Sequence, residues 1–241
     1  MPFHPHFAGS SDIGRRRTGN QDRWWVREEL QLAAVADGMG GMPFGEEAAQ
    51  AAIDALAAHL EKSVPELPAA WRKLLNSVNR EVFARGQQLS PETGIGSTLT
   101  IARIHADRLH FAHVGDSALF RLRAGRMEQL TCEHTVASEI RARRAAGHWQ
   151  PMPARAEHAL TSCLGLPRLP EIDVGETDLQ PGDRLLLCTD GLTKPVEPQA
   201  IAAALTSAAS PAAAAQALVD LANAEGGPDN ITVMVGFVGA E

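Results

Sequence analysis

From Gly45 onward apolar side chains return every third or fourth position. In "GEEAAQAAIDALAAHLEK" the residues Ala49, Ile53, Leu56 and Leu60 share one helical face. A second helix is predicted from about Ala69. Trp71, Leu74, Leu75, Val78 and Val82 keep the same spacing until a stretch rich in Gly, Pro and Ser over 86–96 ends it. Two adjacent helices suggest one packed layer. Upstream, Leu30 to Ala36 is a short apolar run that predicts a strand. From Ser97 the texture changes. "STLTIARI", "RLHFAHV", "SALFRLRAG" and "RMEQL" are β-type runs parted by turn formers at Ala106-Asp107, Gly115-Asp116 and Ala124-Gly125, and together they predict an antiparallel meander. A charged helix is expected around Glu133 to Ala146, followed by a Pro-rich stretch to about Pro170. Strands are expected near Ile172, at "DRLLLCTD" and at "NITVMVGFV", with alanine-rich helices between the last two. Helices grouped with helices and strands with strands favour an α+β fold with antiparallel sheets over a doubly wound parallel one.

Composition narrows the class. At 241 residues and 44% hydrophobic, the chain suffices for a single domain, 1–241, with a sizeable core. A net charge of −7 argues against nucleic acid or an anionic membrane as partner, since both require a concentrated basic surface, whereas acidic clusters suit metal cations. The three cysteines, Cys132, Cys163 and Cys188, are far apart and form no C-x-x-C pair, which suggests neither a disulfide framework nor a structural zinc site. The start, "MPFHPHFAGSSDIG", lacks the basic and apolar regions of a signal peptide. The alanine-rich stretch from Ala200 to Ala222 is interrupted by Ser207, Ser210, Pro211 and Asp220. The expectation is a soluble, monomeric, cytoplasmic protein.

Candidate chemistry concentrates where strands end. "AAVADGMGG", Ala33 to Gly41, has the strand, glycine and helix order of a nucleotide cradle, but G-x-G-x-x-G from Gly38 and Gly40 meets Pro43 where it needs glycine. Asp37, Glu46 and Glu47 would also repel phosphate from the following helix. The same strand-then-aspartate arrangement recurs at Asp190-Gly191 in "LLLCTDG" and at Asp116 in "HVGDS", while Asp229 in "GGPDNITV" stands just before a strand. Asp-Gly is a common turn pair, so each alone reads as a turn. Carboxylates at several strand ends can also converge at one sheet edge and hold hard cations through oxygen.

Taken in order, "RTGNQD" (Arg17 to Asp22), "VADGMGG" (Val35 to Gly41), "GST" (Gly96 to Thr98), "AHVGDSALF" (Ala112 to Phe120), "LLLCTDGL" (Leu185 to Leu192) and "GGPDNITV" (Gly226 to Val233) resemble the bacterial PP2C-type (PPM) protein serine/threonine phosphatases over about Ser11 to Val238. The resemblance implies an αββα sandwich of two antiparallel sheets flanked by helices. It implies two Mn2+ or Mg2+ ions bridged by Asp37, with the carbonyl of Gly38, Asp190 and Asp229 as further ligands. Asp116, helped by Asp190, would hold a third, weaker ion, and Asp22 would act through water in the outer shell. Arg17 takes the place of the phosphate-binding arginine, whose planar fork suits two phosphate oxygens. Asn230 would support Asp229, whereas Gly40, Gly41 and Thr98 would serve shape and packing. The implied reaction is direct attack on phosphoserine or phosphothreonine by a hydroxide bridging the two metals, with Asp37, Asp190 and Arg17 as its catalytic residues. Implied partners are phosphorylated proteins, among them a Ser/Thr kinase or its substrates.

Two departures stand out. Met39 replaces the histidine of many eukaryotic members, which leaves a metal-bound water or a nearby histidine open as the proton source for the leaving alkoxide. Gln21, where Glu is common, takes one charge from the outer metal shell. Rival chemistries fit less well. "CLGLPR" from Cys163 to Arg168 has four residues between Cys and Arg where a cysteine phosphatase loop needs five, and no G-x-S-x-G elbow supports a serine triad. His113 reads as a packed, hydrogen-bonded histidine. Residues 133–160 correspond to the family's variable flap, in which Arg141, Arg143 and Arg144 either grip acidic substrate flanks or form a solvated helix face. The competing function is a pseudophosphatase, a phosphoprotein-binding signalling module on the same fold. Retention of Asp37, Asp190, Asp229 and Arg17 together favours the enzyme.

Overall fold

Two five-stranded antiparallel sheets stack face to face, and each carries helices on its outer side. The computed structural model describes residues 6–39, 42, 44–66 and 68–239, so Gly40 and Gly41 lie outside the described residues. One sheet is ordered β1 (His6–Asp12), β10 (Ile231–Phe237), β9 (Arg184–Cys188), β6 (Ala118–Arg123) and β7 (Arg126–Gln129). The other runs β2 (Asp22–Arg27), β3 (Leu32–Asp37), β4 (Leu99–His105), β5 (Arg108–Val114) and β8 (Asp173–Asp178). Helices α1 (Gly45–Lys62) and α2 (Pro68–Leu89) cover the second sheet, and α5 (Pro198–Ser207) and α6 (Pro211–Ala224) cover the first. Between them in sequence stand α3 (Val136–Ala145) and the one-turn α4 (Asp190–Thr193). This is the αββα sandwich expected from the sequence.

Because both faces of each central strand are buried, alternate residues feed different cores. In β3, Leu32, Ala34 and Ala36 pack under α1 and α2, while Ala33 and Val35 point into the space between the sheets. In β9, Leu186 and Cys188 face α5 and α6, and Leu185 and Leu187 face the other sheet. The result is a middle core flanked by two helix-covered ones. Small residues such as Ala33, Ala34 and Ala36, all fully buried, bring the layers close. No helix among the described residues is long and apolar enough to cross a membrane.

The expected meander over Ser97 to Leu130 is corrected. β4 pairs with β5 and β6 with β7, but β5 and β6 lie in different sheets. The chain crosses between them at Gly115, whose φ of +110° is open to glycine and costly for other residues, and where a Cβ would stand 2.5 Å from Thr98 Cγ2. The crossing sets Asp116 at the seam between the sheets. Two further strands, β1 and β2, were not anticipated. Both are edge strands with few fully buried positions, so their hydrophobic signal is weak.

Candidate functional site

Strand termini bring four aspartates to one end of the sandwich. Asp37 is the last residue of β3, and Asp22, the first of β2, is its partner in the antiparallel register. Asp190 follows β9 as the first residue of α4, and Asp116 sits in the crossing between β5 and β6. Carboxylate oxygens of Asp37, Asp116 and Asp190 all lie within 4.8 Å of one another. These three line a cavity of about 680 Å3 together with Arg17, Gly38 and Asp229, the residue two positions before β10.

Backbone packing explains why the loops close so tightly. A Cβ on Gly38 would fall 2.0 Å from the carbonyl oxygen of Gly45, and one on Gly191 would fall 1.9 Å from that of Asn230. The D-G pairs are therefore glycine because another segment's backbone occupies the side-chain space. Thr98 secures the first of them: its Oγ1 accepts from the Asp37 amide at 2.9 Å, and its amide donates to the Asp37 carbonyl at 2.9 Å. Its hydroxyl also shares a 2.8 Å hydrogen bond with Ser117, the residue just before β6 of the other sheet, so Thr98 ties the start of β4 to the crossing beneath the site. Asn230 does similar work for the loop carrying Arg17. Its Oδ1 accepts from the Gln21 amide and its Nδ2 donates to the carbonyls of Ile13 and Gly19, all at 2.9 Å, while its own amide donates to Asp229 Oδ1 at 2.8 Å.

The electrostatics are those of a crowded anionic site. Burial raises the Asp22 and Asp116 carboxyls to about 7 each and Asp37 well above the ordinary carboxylate range, and the neighbouring aspartates push the same way. Asp22 is held by a 2.8 Å hydrogen bond from Thr189 Oγ1. Asp190 is 9% exposed, and its Oδ1 has no hydrogen-bond partner. A buried carboxylate oxygen without a partner is costly, and this one belongs to an all-oxygen cluster of the kind hard divalent cations take. The residues therefore fit a divalent metal.

The cavity's positive charges come from Arg17, Arg155 and Lys194. Arg17 Nη2 pairs with Asp229 Oδ2 at 2.7 Å on the rim. Lys194 caps α4 and pairs with Asp190 Oδ2. Although burial opposes its charge, Asp190, Asp116 and Asp37 hold its ammonium above the ordinary lysine range. Arg155, His158 and Leu160, from the segment expected as a flap, wall the cavity. Sequence reasoning missed Lys194, Arg155 and His158. For Lys194 a signal existed, because it stands four residues after Asp190 on a helical turn, the spacing that brings side chains together.

Other candidates take structural places. His113 is fully buried, with Nδ1 2.8 Å from Thr100 Oγ1 and Nε2 3.1 Å from the Cys132 carbonyl, and burial lowers its pKa to about 3. Cys163 is buried, which raises its thiol to about 11 and makes it a poor nucleophile. The three cysteines are free. Arg141, Arg143 and Arg144 are engaged within their own segment: Arg141 with Glu157, Arg143 with Glu139 at 3.5 Å, and Arg144 with the Gln150 carbonyl at 2.6 Å.

Residues 9–224 match the model of the protein phosphatase 2C family. The chain is 36% identical over 238 residues to the serine/threonine protein phosphatase PstP of Mycobacterium tuberculosis, a match that covers 96% of this chain and 45% of that protein. It thus spans about half the length of that relative. It is 30% identical to the serine/threonine phosphatase Stp of Listeria innocua, with 95% of this chain and 94% of that one covered. The catalytic domain of PstP in complex with two manganese ions superimposes with a TM-score of 0.84 at 32% identity, covering the whole of both chains. With the sandwich, the strand-end aspartates and these likenesses in agreement, the chain belongs to the protein phosphatase 2C family.

Proposed function

We propose that this chain is a metal-dependent protein serine/threonine phosphatase that transfers the phosphoryl group of phosphoserine or phosphothreonine directly to water. The observation that carries the reading is the meeting of Asp37, Asp116 and Asp190 within 4.8 Å, with an unpartnered buried oxygen on Asp190, in the cavity that also holds Arg17 and Asp229. Asp37, the Gly38 carbonyl, Asp190 and Asp229 are assigned to hold a pair of Mn2+ or Mg2+ ions, with Asp22 supporting them from behind Asp37. Bound there, the ions would acidify a water for attack on the phosphate and would offset the phosphate's charge.

The chain's own groups do the rest. Arg17 stands on the rim with its guanidinium on Asp229, where an entering phosphate meets its fork of donors. Buried Thr98 fixes the backbone of Asp37, and Asn230 fixes the Arg17 loop, so the anionic and cationic walls are held by the fold rather than by the substrate. His158 is the histidine in the cavity lining among the described residues. Its Nδ1 faces Lys194 Nζ at 2.8 Å; accepting there leaves the proton of a neutral ring on Nε2. Of the two proton sources open at the Met39 position, the histidine would be this one. The substrates are assigned as phosphorylated proteins, a Ser/Thr kinase or its targets among them.

Purified protein is expected to hydrolyse p-nitrophenyl phosphate and a phosphothreonine peptide with Mn2+, and to lose both activities with EDTA or with Asp190→Ala. Hydrolysis that survives either treatment would remove the reading. Phosphopeptide binding without turnover would favour the pseudophosphatase.

A further inference from the structure

Lys194 occupies an unusual place for a lysine. α4 is a single turn that starts at Asp190, so the side chain four residues later returns toward the carboxylate that opened it. Its Nζ pairs with Asp190 Oδ2, lies 3.9 Å from Asp116 Oδ2 and lies 2.8 Å from His158 Nδ1. The ammonium therefore stands between the two carboxylates that the resemblance assigns to a third, weaker metal ion, and it is tethered there covalently.

We propose that Lys194 is a built-in cation that takes the place of a third divalent ion, so that this chain binds its metal pair at Asp37, Asp190 and Asp229 and no further ion between Asp116 and Asp190. The inference rests on the metal-dependent reading of the site. Its physical basis is local competition: an ion entering between Asp116 and Asp190 would have to displace the ammonium from Asp190 or lie against it, with both positive charges drawing on the same oxygens. The unpartnered oxygen of Asp190 is Oδ1, whereas Lys194 is on Oδ2. One carboxylate can thus serve the metal pair with one oxygen and the lysine with the other. Charge balance points the same way. Asp37, Asp116, Asp190 and Asp229 of the cavity, with Asp22 paired to Asp37, outnumber the cations Arg17, Arg155 and Lys194, and two divalent ions suffice to turn this excess of negative charge into a net positive site for a phosphate dianion.

A second consequence follows from His158. Lys194 joins the acidic cluster to the short helical turn Ala156–His158 that walls the cavity, through a contact that an exchangeable ion need not provide. The cation beside Asp116 is thereby present at every metal concentration and bound to the cavity wall.

Metal-stripped protein titrated with Mn2+, with free Mn2+ read by electron paramagnetic resonance, counts the ions bound. Wild type and Lys194→Arg are expected to take up two per chain, and Lys194→Ala three, the third more weakly. Lys194→Gln, closer in shape, is the alternative neutral variant if circular dichroism shows the alanine variant misfolded. Adding Asp116→Asn to the neutral variant is expected to return the count to two. Three ions on the wild type, or two on a folded neutral variant, would overturn the inference and leave the phosphatase reading intact. No bound ion on the wild type would overturn both.

Discussion

The strand ends that carry Asp37, Asp116 and Asp190 and the segment over residues 133–160 face the same cavity but are built on opposite terms. The aspartates sit at the seam of two sheets, crowded against one another and, on Asp190 Oδ1, without a protein partner. The arginines of the segment are largely exposed, with side-chain accessibilities of 55% for Arg141 and 60% for Arg143, yet each has a partner within the same segment. Unmet bonding capacity in a buried place points to a ligand, whereas exposed charges already paired at home contribute little. Metal binding is thus assigned to the strand ends, and the outer wall is left with shape and with His158.

The comparison breaks most sharply at the aspartates. Asp37→Asn or Asp190→Ala is expected to lower Mn2+-dependent turnover of an aryl phosphate by roughly 10²-fold or more while leaving the circular dichroism spectrum unchanged. Near-normal turnover in either variant would detach the cluster from the chemistry.

The next effect concerns His113, buried against Thr100 and the Cys132 carbonyl, with the His134 ring 5.0 Å away and Asp173 beyond it. The unfolded chain protonates this ring near 6.5 and the folded chain only near 3. A lowered histidine pKa gives stability that is complete above 6.5 and is lost as pH falls through that window, because the unfolded state then binds the extra proton. His113→Asn is expected to flatten the acid limb of urea-unfolding stability by about 3 kcal/mol at pH 4. Parallel acid limbs in the two proteins would count against a buried neutral ring.

Smaller still is Asn230→Ala, which unpairs the Gln21 amide and the carbonyls of Ile13 and Gly19. A loss of about 2 kcal/mol and a fall in Tm of several degrees are expected. KM for substrate should rise more than kcat falls, since the Arg17 loop is what loosens. The smallest effect belongs to the outer wall. Alanine at Arg143 and Arg144 is expected to change KM for a phosphopeptide by less than about threefold and to leave an aryl phosphate unaffected. A tenfold rise confined to the phosphopeptide would return these arginines to substrate recognition.

The same contrast explains what the sequence disclosed. Helices α1 and α2 and the buried strands β3 and β9 carry strong apolar signals, because burial on defined faces forces a period into the chain. The four aspartates that meet at the site or line its cavity, Asp37, Asp116, Asp190 and Asp229, were named because each stands at a strand end beside glycine or asparagine. Edge strands β1 and β2 were silent, since exposure relaxes their pattern. The passage from β5 to β6 was misread as a continuing meander because a turn within a sheet and a crossing between sheets use the same residues, here Gly115 and Asp116. The spacing of Lys194 from Asp190 marks their pairing, but its place beside Asp116 depends on a contact distant in sequence. Arg155 and His158 escaped because nothing local distinguishes a wall residue from a solvated one.

Crystals grown with Mn2+ and measured at the manganese absorption edge would locate the ions without reference to activity. The expected map has two anomalous peaks about 3.5–4 Å apart, both in contact with Asp37 and one of them shared with Asp190 and Asp229. A map with no peak against Asp37, in crystals whose Asp229 still rests on Arg17, would contradict the assignment of these strand-end carboxylates to a metal pair.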